Sequence, residues 1–229
     1  MTKNTEVSLS VVRRLPRYYR FLGELSRAGV ERISSSKLSD MMGLTASQIR
    51  QDLNCFGGFG QQGYGYNVQF LREEISKIMG LQNRFEAILI GAGNLGRAML
   101  GYIGFRGEGF RLTGVFDKNP MIVGEVVSGL VVQHIDTLEA FCLERHPDVA
   151  VLCIPKSATG ELAPRLIELG IHGFWNFSHY DLALNHPGVI VENVHLNDSL
   201  MTLCYRVNDL LDGKKSSDTF KHSKFVDNG

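Results

Sequence analysis

Residues 84–100, RFEAILIGAGNLGRAML, join a short apolar run to a glycine pattern and then to a helix-forming stretch. The glycines have the spacing G-x-G-x-x-G: Gly91 allows a tight turn, Gly93 lets backbone amides approach a pyrophosphate, and Gly96 lets a helix pack closely on a strand. The pattern alone is common, but here an apolar strand precedes it and a helix follows it. We therefore predict a dinucleotide-binding βαβ unit.

The next predicted strand, 111–117, ends in a carboxylate, Asp117. A carboxylate about twenty residues beyond the last glycine accepts hydrogen bonds from a ribose 2′-hydroxyl and repels a 2′-phosphate. This position favours NAD(H) over NADP(H). Lys118 leaves two alternatives open, a solvated side chain or a cation offered to a phosphate.

Apolar strands and helices continue to alternate after this unit, which predicts a doubly wound parallel sheet, an α/β fold. Ligands bind at the carboxyl ends of such strands, which places Cys153–Lys156 and Asn176–Ser178 near the nicotinamide. Cys153 lies inside an apolar run and is predicted to be core rather than a nucleophile. The predicted strands are 87–90, 111–117, 130–135, 148–155, 171–177 and 188–194, and the predicted helices are 137–146 and 158–170.

An earlier segment, 33–57, has the pattern of two short helices joined by a tight turn. A serine cluster precedes the first helix, about Lys37–Met42, and Gly43 makes the turn. Thr45 with Gln48 forms a predicted capping box at the second helix. The polar side of that helix has the chemistry of a DNA recognition helix, although an ordinary helical hairpin remains an alternative: Ser47, Gln48, Arg50, Gln51 and Asn54.

The stretch FGGFGQQGYGYNVQF, 56–70, predicts a β-hairpin directly after that helix, which is the position of a wing. Gln62 and Gly63 at its tip fit a minor groove. The alternative is a plain hairpin whose aromatic residues, including Tyr64, pack on the helices. Upstream, four arginines form either a solvated face or a phosphate-binding cluster: Arg13, Arg14, Arg17 and Arg20.

The net charge of zero hides an asymmetry between the two halves of the chain. Residues 1–84 carry 12 Lys and Arg against 7 Asp and Glu, whereas residues 85–229 carry 12 against 17. The basic front half is consistent with a polyanionic partner. No run of eighteen apolar residues and no signal pattern is present, so we predict a cytoplasmic protein with no membrane partner. The scattered cysteines and histidines predict no metal site.

A dehydrogenase needs an acid–base group and a domain for its second reactant. Only His179 and Lys156 are plausible acid–base residues, and no substrate domain remains after the nucleotide unit. A DNA-binding module joined to a cofactor site therefore predicts a sensor rather than an enzyme. Residues 196–211 form an amphipathic helix that either packs on its own sheet or crosses to a partner, and the polar tail 212–229 is predicted to be disordered.

In combination these motifs resemble the Rex family, the redox-sensing transcriptional repressors of bacteria, over roughly residues 6–211. The resemblance rests on RLPRYYRFL, SSSKLSDMMGLTASQIRQDLNCFGGFGQQGYGYNV, GAGNLGRAML, YIGF and VIVENV. It implies a homodimer on a palindromic operator, with a winged-helix domain, a Rossmann domain and a swapped C-terminal helix. It implies release of DNA when NADH binds, competition by NAD⁺, and a switch in which Tyr102 moves and Arg20 contacts it across the dimer.

Three residues depart from the pattern of many family members. Gln51 replaces a lysine of the recognition helix and Gln62 replaces an arginine at the wing tip, which removes positive charge and predicts a shallower salt dependence and an altered operator preference. His195 replaces an aspartate after VENV. It either makes release depend on pH near neutrality or simply packs at the subunit interface.

The predicted domains are a winged-helix domain over 1–80, a Rossmann domain over 81–195, and the C-terminal helix. The predicted function is a repressor that senses the NADH/NAD⁺ ratio; the alternatives are an NAD-dependent oxidoreductase and a CoA-type nucleotide domain, which Asp117 disfavours. The predicted DNA-binding residues are Arg13, Arg14, Thr45, Ser47, Gln48, Arg50, Gln51, Gln62, Gly63 and Tyr64. The predicted cofactor-binding residues are Gly91, Ala92, Gly93, Asn94, Leu95, Gly96, Tyr102, Phe105, Asp117, Lys118, Ile154 and Pro155.

Overall fold

The computed structural model describes residues 7–61, 64–106 and 109–211, except for the side chains of Gln61 and of residues 103–106. The chain divides into two compact units, with the division between Gln82 and Asn83. Each unit has its own hydrophobic core.

The first unit is mainly helical, with a small three-stranded sheet. Its elements are α1 (Leu9–Val12), α2 (Leu15–Arg27), β1 (Arg32–Ile33), α3 (Ser35–Met42), α4 (Ala46–Asn54), β2 (Gly60–Gln61), β3 (Gly65–Asn67) and α5 (Val68–Ile78).

Local sequence signals set the ends of these helices. The side chains of Ser34 and Asn67 accept hydrogen bonds from the backbone amides of the first turns of α3 and α5. Pro16 lies in the first turn of α2, where its missing N–H costs nothing. Gly43 ends α3 at φ +61°, in the left-handed region that favours glycine. The turn between α3 and α4 is therefore specified by the sequence.

The small sheet has the order β1-β3-β2, with both pairs antiparallel. The β2–β3 pair is the hairpin predicted after α4, whereas β1 was not predicted. At only two residues, β1 has no alternation that a sequence pattern could reveal. It anchors the hairpin because Ile33 pairs with Tyr66 and both side chains are buried in the core of the unit. The unit is a winged helix.

The second unit is an α/β domain around a seven-stranded sheet. Its strands are β4 (Phe85–Ile90), β5 (Phe110–Asp117), β6 (Val126–Val127), β7 (Leu130–His134), β8 (Val149–Leu152), β9 (Gly173–Asn176) and β10 (Ile190–Asn193). Its α-helices are α6 (Asn94–Arg106), α7 (Leu138–Arg145), α8 (Lys156–Glu168), α9 (Leu182–Asn185) and α10 (Leu196–Leu211).

The sheet order is β10-β9-β8-β4-β5-β7-β6, and every pair is parallel except β6–β7. The predicted doubly wound parallel sheet is confirmed, with one antiparallel pair at its edge, where β6 folds back on β7 as a hairpin that two residues of sequence could not signal. Going outward from β4, the chain proceeds through β5 and β7 on one side and β8, β9 and β10 on the other. The order therefore reverses between β4 and β8, the switch point of a doubly wound fold.

Both faces of this sheet are covered. Ile88 and Ile90 of β4 pack in one core cluster with residues of α7 and α8, whereas Leu89 packs in the other with Leu100 of α6. Successive side chains of a strand point to opposite faces, so a strand buried on both sides has a continuous apolar sequence. The run AILI is that sequence, and it places the glycine pattern at the carboxyl edge of the sheet.

Candidate functional site

The exposed side of α4 carries the polar residues of the predicted recognition helix. Thr45 caps the helix, since its Oγ1 accepts from the backbone amide of Gln48 at 3.1 Å. Ile49 and Leu53 are buried on the opposite side. Arg50 donates to Ser35 Oγ of α3 at 3.1 Å, which holds the two helices together at their exposed side. Four polar side chains point to solvent: Ser47, Arg50, Gln51 and Asn54.

A buried carboxylate, Asp52, lies on the inner side of this helix. Only 1% of its side chain is exposed. Arg14, the residue before α2, donates to both of its oxygens, from Nε at 2.6 Å and from Nη2 at 2.7 Å, and the hydroxyl of Tyr18 in α2 donates at 2.9 Å. The fourth donor is Gln48 Nε2 at 2.9 Å. This cluster, Arg14–Tyr18–Gln48–Asp52, is called the Asp52 cluster below.

The Asp52 cluster keeps its carboxylate charged. Burial alone would raise the pKa of Asp52, but hydrogen bonds from Arg14, Gln48 and Tyr18 outweigh burial and lower the pKa below its ordinary value. Burial, followed by the hydrogen bond to Asp52, raises the pKa of Tyr18, so the phenol stays a donor. The cluster therefore joins α2 to α4 by charge-assisted bonds and fixes the orientation of the exposed face.

The sequence reasoning missed Asp52, and it assigned Arg14 and Gln48 to the DNA. The second arm of the predicted capping box is corrected, because the Gln48 side chain is turned to Asp52 rather than back to Thr45. A signal was present in the sequence: Ile49, Asp52 and Leu53 have the i, i+3, i+4 spacing of one helix face. An acidic residue on the apolar face of a helix needs a buried partner.

The other arginines of the predicted cluster differ in environment. Arg13 and Arg20 are exposed, and the guanidinium carbon of Arg20 lies 5.4 Å from the centre of the Phe21 ring. Arg17 donates to the carbonyl of Met42, the last residue of α3. Arg13 and Arg20 are therefore the members of this cluster whose charge faces solvent.

The aromatic residues of the wing differ in their exposure to solvent. Tyr66 is buried and Phe59 packs against the same core, whereas Tyr64 is 70% exposed next to the tip. Gly65 is required here, since its φ is +69° and a Cβ would lie 2.5 Å from the carbonyl oxygen of Ile33. The tip residues Gln62 and Gly63 lie outside the described residues. Of the three aromatics, only Tyr64 remains available to a ligand.

The glycine loop after β4 is shaped by close backbone approach. A Cβ on Gly91 would lie 2.5 Å from the carbonyl oxygen of Cys153, and a Cβ on Gly96 would lie 1.8 Å from that of Gly91. A Cβ on Gly93 would meet nothing within 4 Å, because this residue is exposed at the crest of the loop. The loop leaves open space at the N-terminus of α6, the position predicted for a pyrophosphate. Asn94 and Leu95 begin that helix.

Asp117, at the carboxyl end of β5, is held against the glycine loop. Its Oδ2 accepts from the backbone amide of Ala92 at 2.7 Å, and its Oδ1 accepts from that of Asn119 at 2.8 Å. Each carboxylate oxygen retains capacity for a further hydrogen bond. Lys118 is exposed. The carboxylate therefore lies next to the glycine loop, and its contact with a ribose hydroxyl stays a prediction.

The loop after β8 lies across the switch point. Ile154 is half-buried and Pro155 caps the N-terminus of α8. Burial raises the pKa of the Cys153 thiol to about 12, which fits a core residue rather than a nucleophile. Tyr102 of α6 is exposed, and the side chain of Phe105 lies outside the described residues.

The polar residues at the end of β9 bind one another. The amide nitrogen of buried Asn176 donates to the carbonyl of Tyr180 at 2.9 Å and to Asn193 Oδ1 at 2.8 Å. Its Oδ1 accepts from the backbone amide and the hydroxyl of Ser178. The predicted segment Asn176–Ser178 thus stiffens the edge of the sheet. The neighbouring His179 is exposed, as is Lys156, the first residue of α8.

His195 lies between β10 and α10. Its Nδ1 is 3.3 Å from Asp198 Oδ2, and its ring lies 5.2 Å from that of His179, centre to centre. His195, which differs from the family pattern, therefore lies directly before the first residue of α10.

The helix α10 has no buried residue within the chain described. Large apolar side chains are exposed along it: Leu196, Leu200, Met201, Leu203, Tyr205, Val207, Leu210 and Leu211. In the part of the chain that the structure describes, no helix is long and apolar enough to cross a bilayer. The same residues contain no group of three potential metal ligands.

Two family models match the chain, one on each unit. The model described as "Putative DNA-binding protein N-terminus" matches residues 6–54, and the model described as "CoA binding domain" matches residues 82–180. The first ends with α4, and the second begins at the division between the units.

Curated relatives and solved structures match both units at once. The chain is 52% identical over 209 residues to the redox-sensing transcriptional repressor Rex of Clostridioides difficile, covering 91% of this chain and 99% of the relative. It is 52% identical to that of Thermoanaerobacter pseudethanolicus, over 91% of this chain and 93% of the relative.

Two crystal structures of RSP, a protein that a third structure describes as a Rex-family repressor, have similar folds. The complex of RSP with β-NAD⁺ and operator DNA has a TM-score of 0.84 at 49% identity, covering 93% of this chain and 100% of that one. The complex with β-NADH has a TM-score of 0.83 at 48% identity, covering 93% and 99%. By identity and by coverage, this chain belongs to the Rex family of redox-sensing transcriptional repressors.

Proposed function

We propose that this chain is a transcriptional repressor that binds a palindromic operator as a homodimer and releases it when NADH binds. The observation that carries the proposal is an identity of about half of all residues with Rex repressors over 91% of the chain, both units included. The RSP complexes support the proposal that the ligands are operator DNA and NAD(H), since one contains operator DNA with NAD⁺ and the other contains NADH.

On the DNA side, we assign base and phosphate contacts to the exposed residues of α4 and the wing. Ser, Gln and Arg side chains pair with base edges, and cations neutralise phosphates. Arg14 and Gln48 act indirectly, because their side chains donate to Asp52 and orient α4 rather than contact the DNA. The proposed contacts are Arg13, Thr45, Ser47, Arg50, Gln51 and Tyr64, with Gln62 and Gly63 at the wing tip.

A palindrome requires two such faces at a fixed spacing. Recognition helices of a dimer bind half-sites roughly 34–36 Å apart, one turn of DNA. We propose that a second copy of the chain covers the apolar face of α10, as the family resemblance implies. Any change that alters the spacing of the two α4 helices releases the operator. Because the proposed ligand is operator DNA, we propose that the protein acts in the bacterial cytoplasm.

On the nucleotide side, we propose that the glycine loop holds the pyrophosphate and Asp117 the adenosine ribose. A carboxylate there disfavours the 2′-phosphate of NADP(H). The description of the matching family model names coenzyme A, but Asp117 and the NAD(H) complexes of RSP favour the dinucleotide. The loop recognises what NADH and NAD⁺ share, so it does not discriminate between them.

Discrimination falls to the nicotinamide end. The oxidised ring carries a positive charge and the reduced ring is neutral, so an apolar pocket penalises the oxidised ring by desolvation. We assign this pocket to Ile154, Pro155, Tyr102 and Phe105. NADH acts as a signal only if it binds one arrangement of the dimer more tightly than the other. Arg20, Tyr102 and His195 are the proposed switch residues.

We propose no catalytic role for this chain. Lys156 and His179 are exposed side chains, and Asn176 is occupied by its own neighbours.

The test measures operator release directly. A fluorescent duplex with an AT-rich palindrome is titrated with the purified full chain, and the complex is then titrated with NADH, NAD⁺ or NADPH. We expect NADH to lower the anisotropy to that of free DNA, NAD⁺ to oppose NADH, and NADPH to be much weaker. A scrambled duplex and the variant Arg50→Ala, which removes the only cation on the exposed face of α4, serve as controls.

DNA binding that ignores both cofactors would contradict the proposal. So would stoichiometric oxidation of NADH with a small aldehyde or ketone, which would favour an oxidoreductase.

A further inference from the structure

Arg97, in the first turn of α6, contacts the glycine loop and a residue beyond β5. Its Nε donates to the carbonyl oxygen of Ala92 at 3.0 Å, and its Nη2 lies 2.5 Å from Glu125 Oε2. The side chains of Arg97 and Glu125 are 39% and 45% exposed. Neither residue was among the predicted site residues.

Ala92 is therefore held on both sides. Its N–H donates to Asp117, and its carbonyl accepts from Arg97. In a planar trans peptide the carbonyl and the next N–H point in opposite directions. Because Arg97 holds the Ala92 carbonyl, the N–H of Gly93 is turned away from Arg97. Gly93 is the exposed glycine of the loop, with open space beside it.

Glu125 keeps Arg97 in that position. Its own backbone is tied down, since its amide donates to Ile122 at 3.2 Å and its carbonyl accepts from Val132 of β7 at 2.9 Å. A guanidinium between a fixed carboxylate and a loop carbonyl has little freedom to swing toward a ligand. An exposed ion pair of this kind adds little to stability. Its effect is therefore on the geometry of the loop.

We propose that Arg97, held by Glu125, is a positioning residue of the nucleotide site that aims the Gly93 amide at the pyrophosphate. The inference rests on the proposed function in one respect, that the loop binds a dinucleotide. It specifies that recognition of the pyrophosphate depends on an ion pair that does not touch the ligand.

The experiment compares ligands with and without the pyrophosphate. Binding of ADP-ribose and of adenosine to the full chain is measured by calorimetry for the wild type, Arg97→Ala, Arg97→Lys, Glu125→Ala and the double variant Arg97→Ala/Glu125→Ala. The matched control is Arg165→Ala, which breaks a similarly exposed pair with Glu139 at 2.9 Å in the same unit.

We expect Arg97→Ala to weaken ADP-ribose binding by about tenfold, the contribution of one hydrogen bond to a charged group. Adenosine binding and the thermal midpoint stay at wild-type values. Arg97→Lys loses as much as Arg97→Ala, because lysine keeps the charge but not the Nε–H. Glu125→Ala loses less, and the double variant loses no more than Arg97→Ala. Arg165→Ala binds both ligands normally.

Three results would overturn the inference: Arg97→Ala binds ADP-ribose as the wild type does, it loses adenosine equally, or Arg97→Lys retains full affinity, which would indicate a direct contact with phosphate. The proposed function fails separately. If the wild type binds ADP-ribose but NADH does not release the operator, the repressor mechanism is wrong and the role of Arg97 stands. If the wild type binds neither ADP-ribose nor NADH, both are wrong.

Discussion

The two units of this chain form their proposed ligand-binding surfaces in opposite ways. The winged-helix unit exposes side chains on α4 and fixes them from behind through the Asp52 cluster. The nucleotide unit exposes backbone, in a loop where Gly91 and Gly96 leave no room for a Cβ. One surface depends on which side chains are present, and the other on their absence.

This difference predicts how each surface responds to change. A side-chain surface can lose or gain one contact at a time, and its specificity shifts gradually. A backbone surface has no intermediate state, because a Cβ placed against a carbonyl oxygen moves the chain itself. The four predictions below use this contrast, in order of decreasing expected effect.

Gly96→Ala is expected to have the largest effect. Its Cβ would lie 1.8 Å from the carbonyl oxygen of Gly91, and both atoms belong to backbone that cannot rotate away. Forcing them apart costs at least about 4 kcal/mol, which corresponds to a loss of nucleotide affinity of several hundredfold. Titration of NADH against the variant measures this, and operator binding without NADH reports on the other unit.

Gly101→Ala is the matched control on the same helix. A Cβ there would meet nothing within 4 Å, so the variant should bind NADH and gain up to about 1 kcal/mol in helix stability. Equal losses in the two variants would contradict the argument from close approach.

Asp52→Asn should lower the free energy of unfolding of the winged-helix unit. Arg14, Tyr18 and Gln48 all donate hydrogen bonds to this carboxylate. An asparagine replaces one acceptor oxygen with an NH2 group, which is itself a donor and cannot accept these bonds. Because about a quarter of the Arg14 side chain is exposed, losing its counter-charge costs about 2 kcal/mol, less than breaking a fully buried pair. Operator affinity should fall together with this stability, whereas the affinity for ADP-ribose should remain at the wild-type value.

The control for this variant is Asp40→Asn, an exposed carboxylate on α3 of the same unit. It should leave both stability and operator binding unchanged. If it matches Asp52→Asn, the effect is one of net charge and not of the Asp52 cluster.

Acid should reproduce part of the Asp52→Asn effect. The pKa of Asp52 is lowered in the folded state, so its stabilising contribution is complete above the unfolded pKa of about 3.9 and is lost as the pH falls through the lower, folded pKa. Urea unfolding of the wild type and of Asp52→Asn should therefore differ at neutral pH and converge in strong acid. A constant difference at all pH values would be inconsistent with the charged pair.

Gln51→Lys should have the smallest effect. It adds one cation to the exposed face of each α4, two in the proposed dimer, which should steepen the salt dependence of operator binding by about 1.8 in log–log slope. Anisotropy titrations over a range of salt concentrations measure the slope. Gln82→Lys adds the same charge to an exposed residue at the end of the unit and should leave the slope unchanged; an equal change in both variants would place the effect in the overall charge.

Much of the fold was predictable because its signals are local. The run AILI, the glycine spacing and Asp117 lie within one βαβ unit, and the caps at Ser34 and Thr45 act within one helical turn. The family followed from the combination of these motifs. The short strands β1 and β6 were missed because two residues contain no period to detect.

The residues that support the two surfaces could not be predicted as readily. Asp52 lies 38 residues from Arg14, and Arg97 lies 28 residues from Glu125. Periodicity assigns a residue to a face of a helix, but it does not say which charge on another element will meet it. The sequence therefore indicated which residues are exposed at each proposed surface more reliably than which residues hold them there.

If a second copy covers the exposed apolar face of α10, part of the fold depends on the amount of protein present. A helix of this length is marginal in water without packing, and its apolar side chains are uncovered within one chain. If a second copy supplies the missing cover, mass action links folding to association. Dilution would then unfold this helix, as a denaturant does. In a cell with a low concentration of the protein, a smaller fraction of the chains would be fully folded.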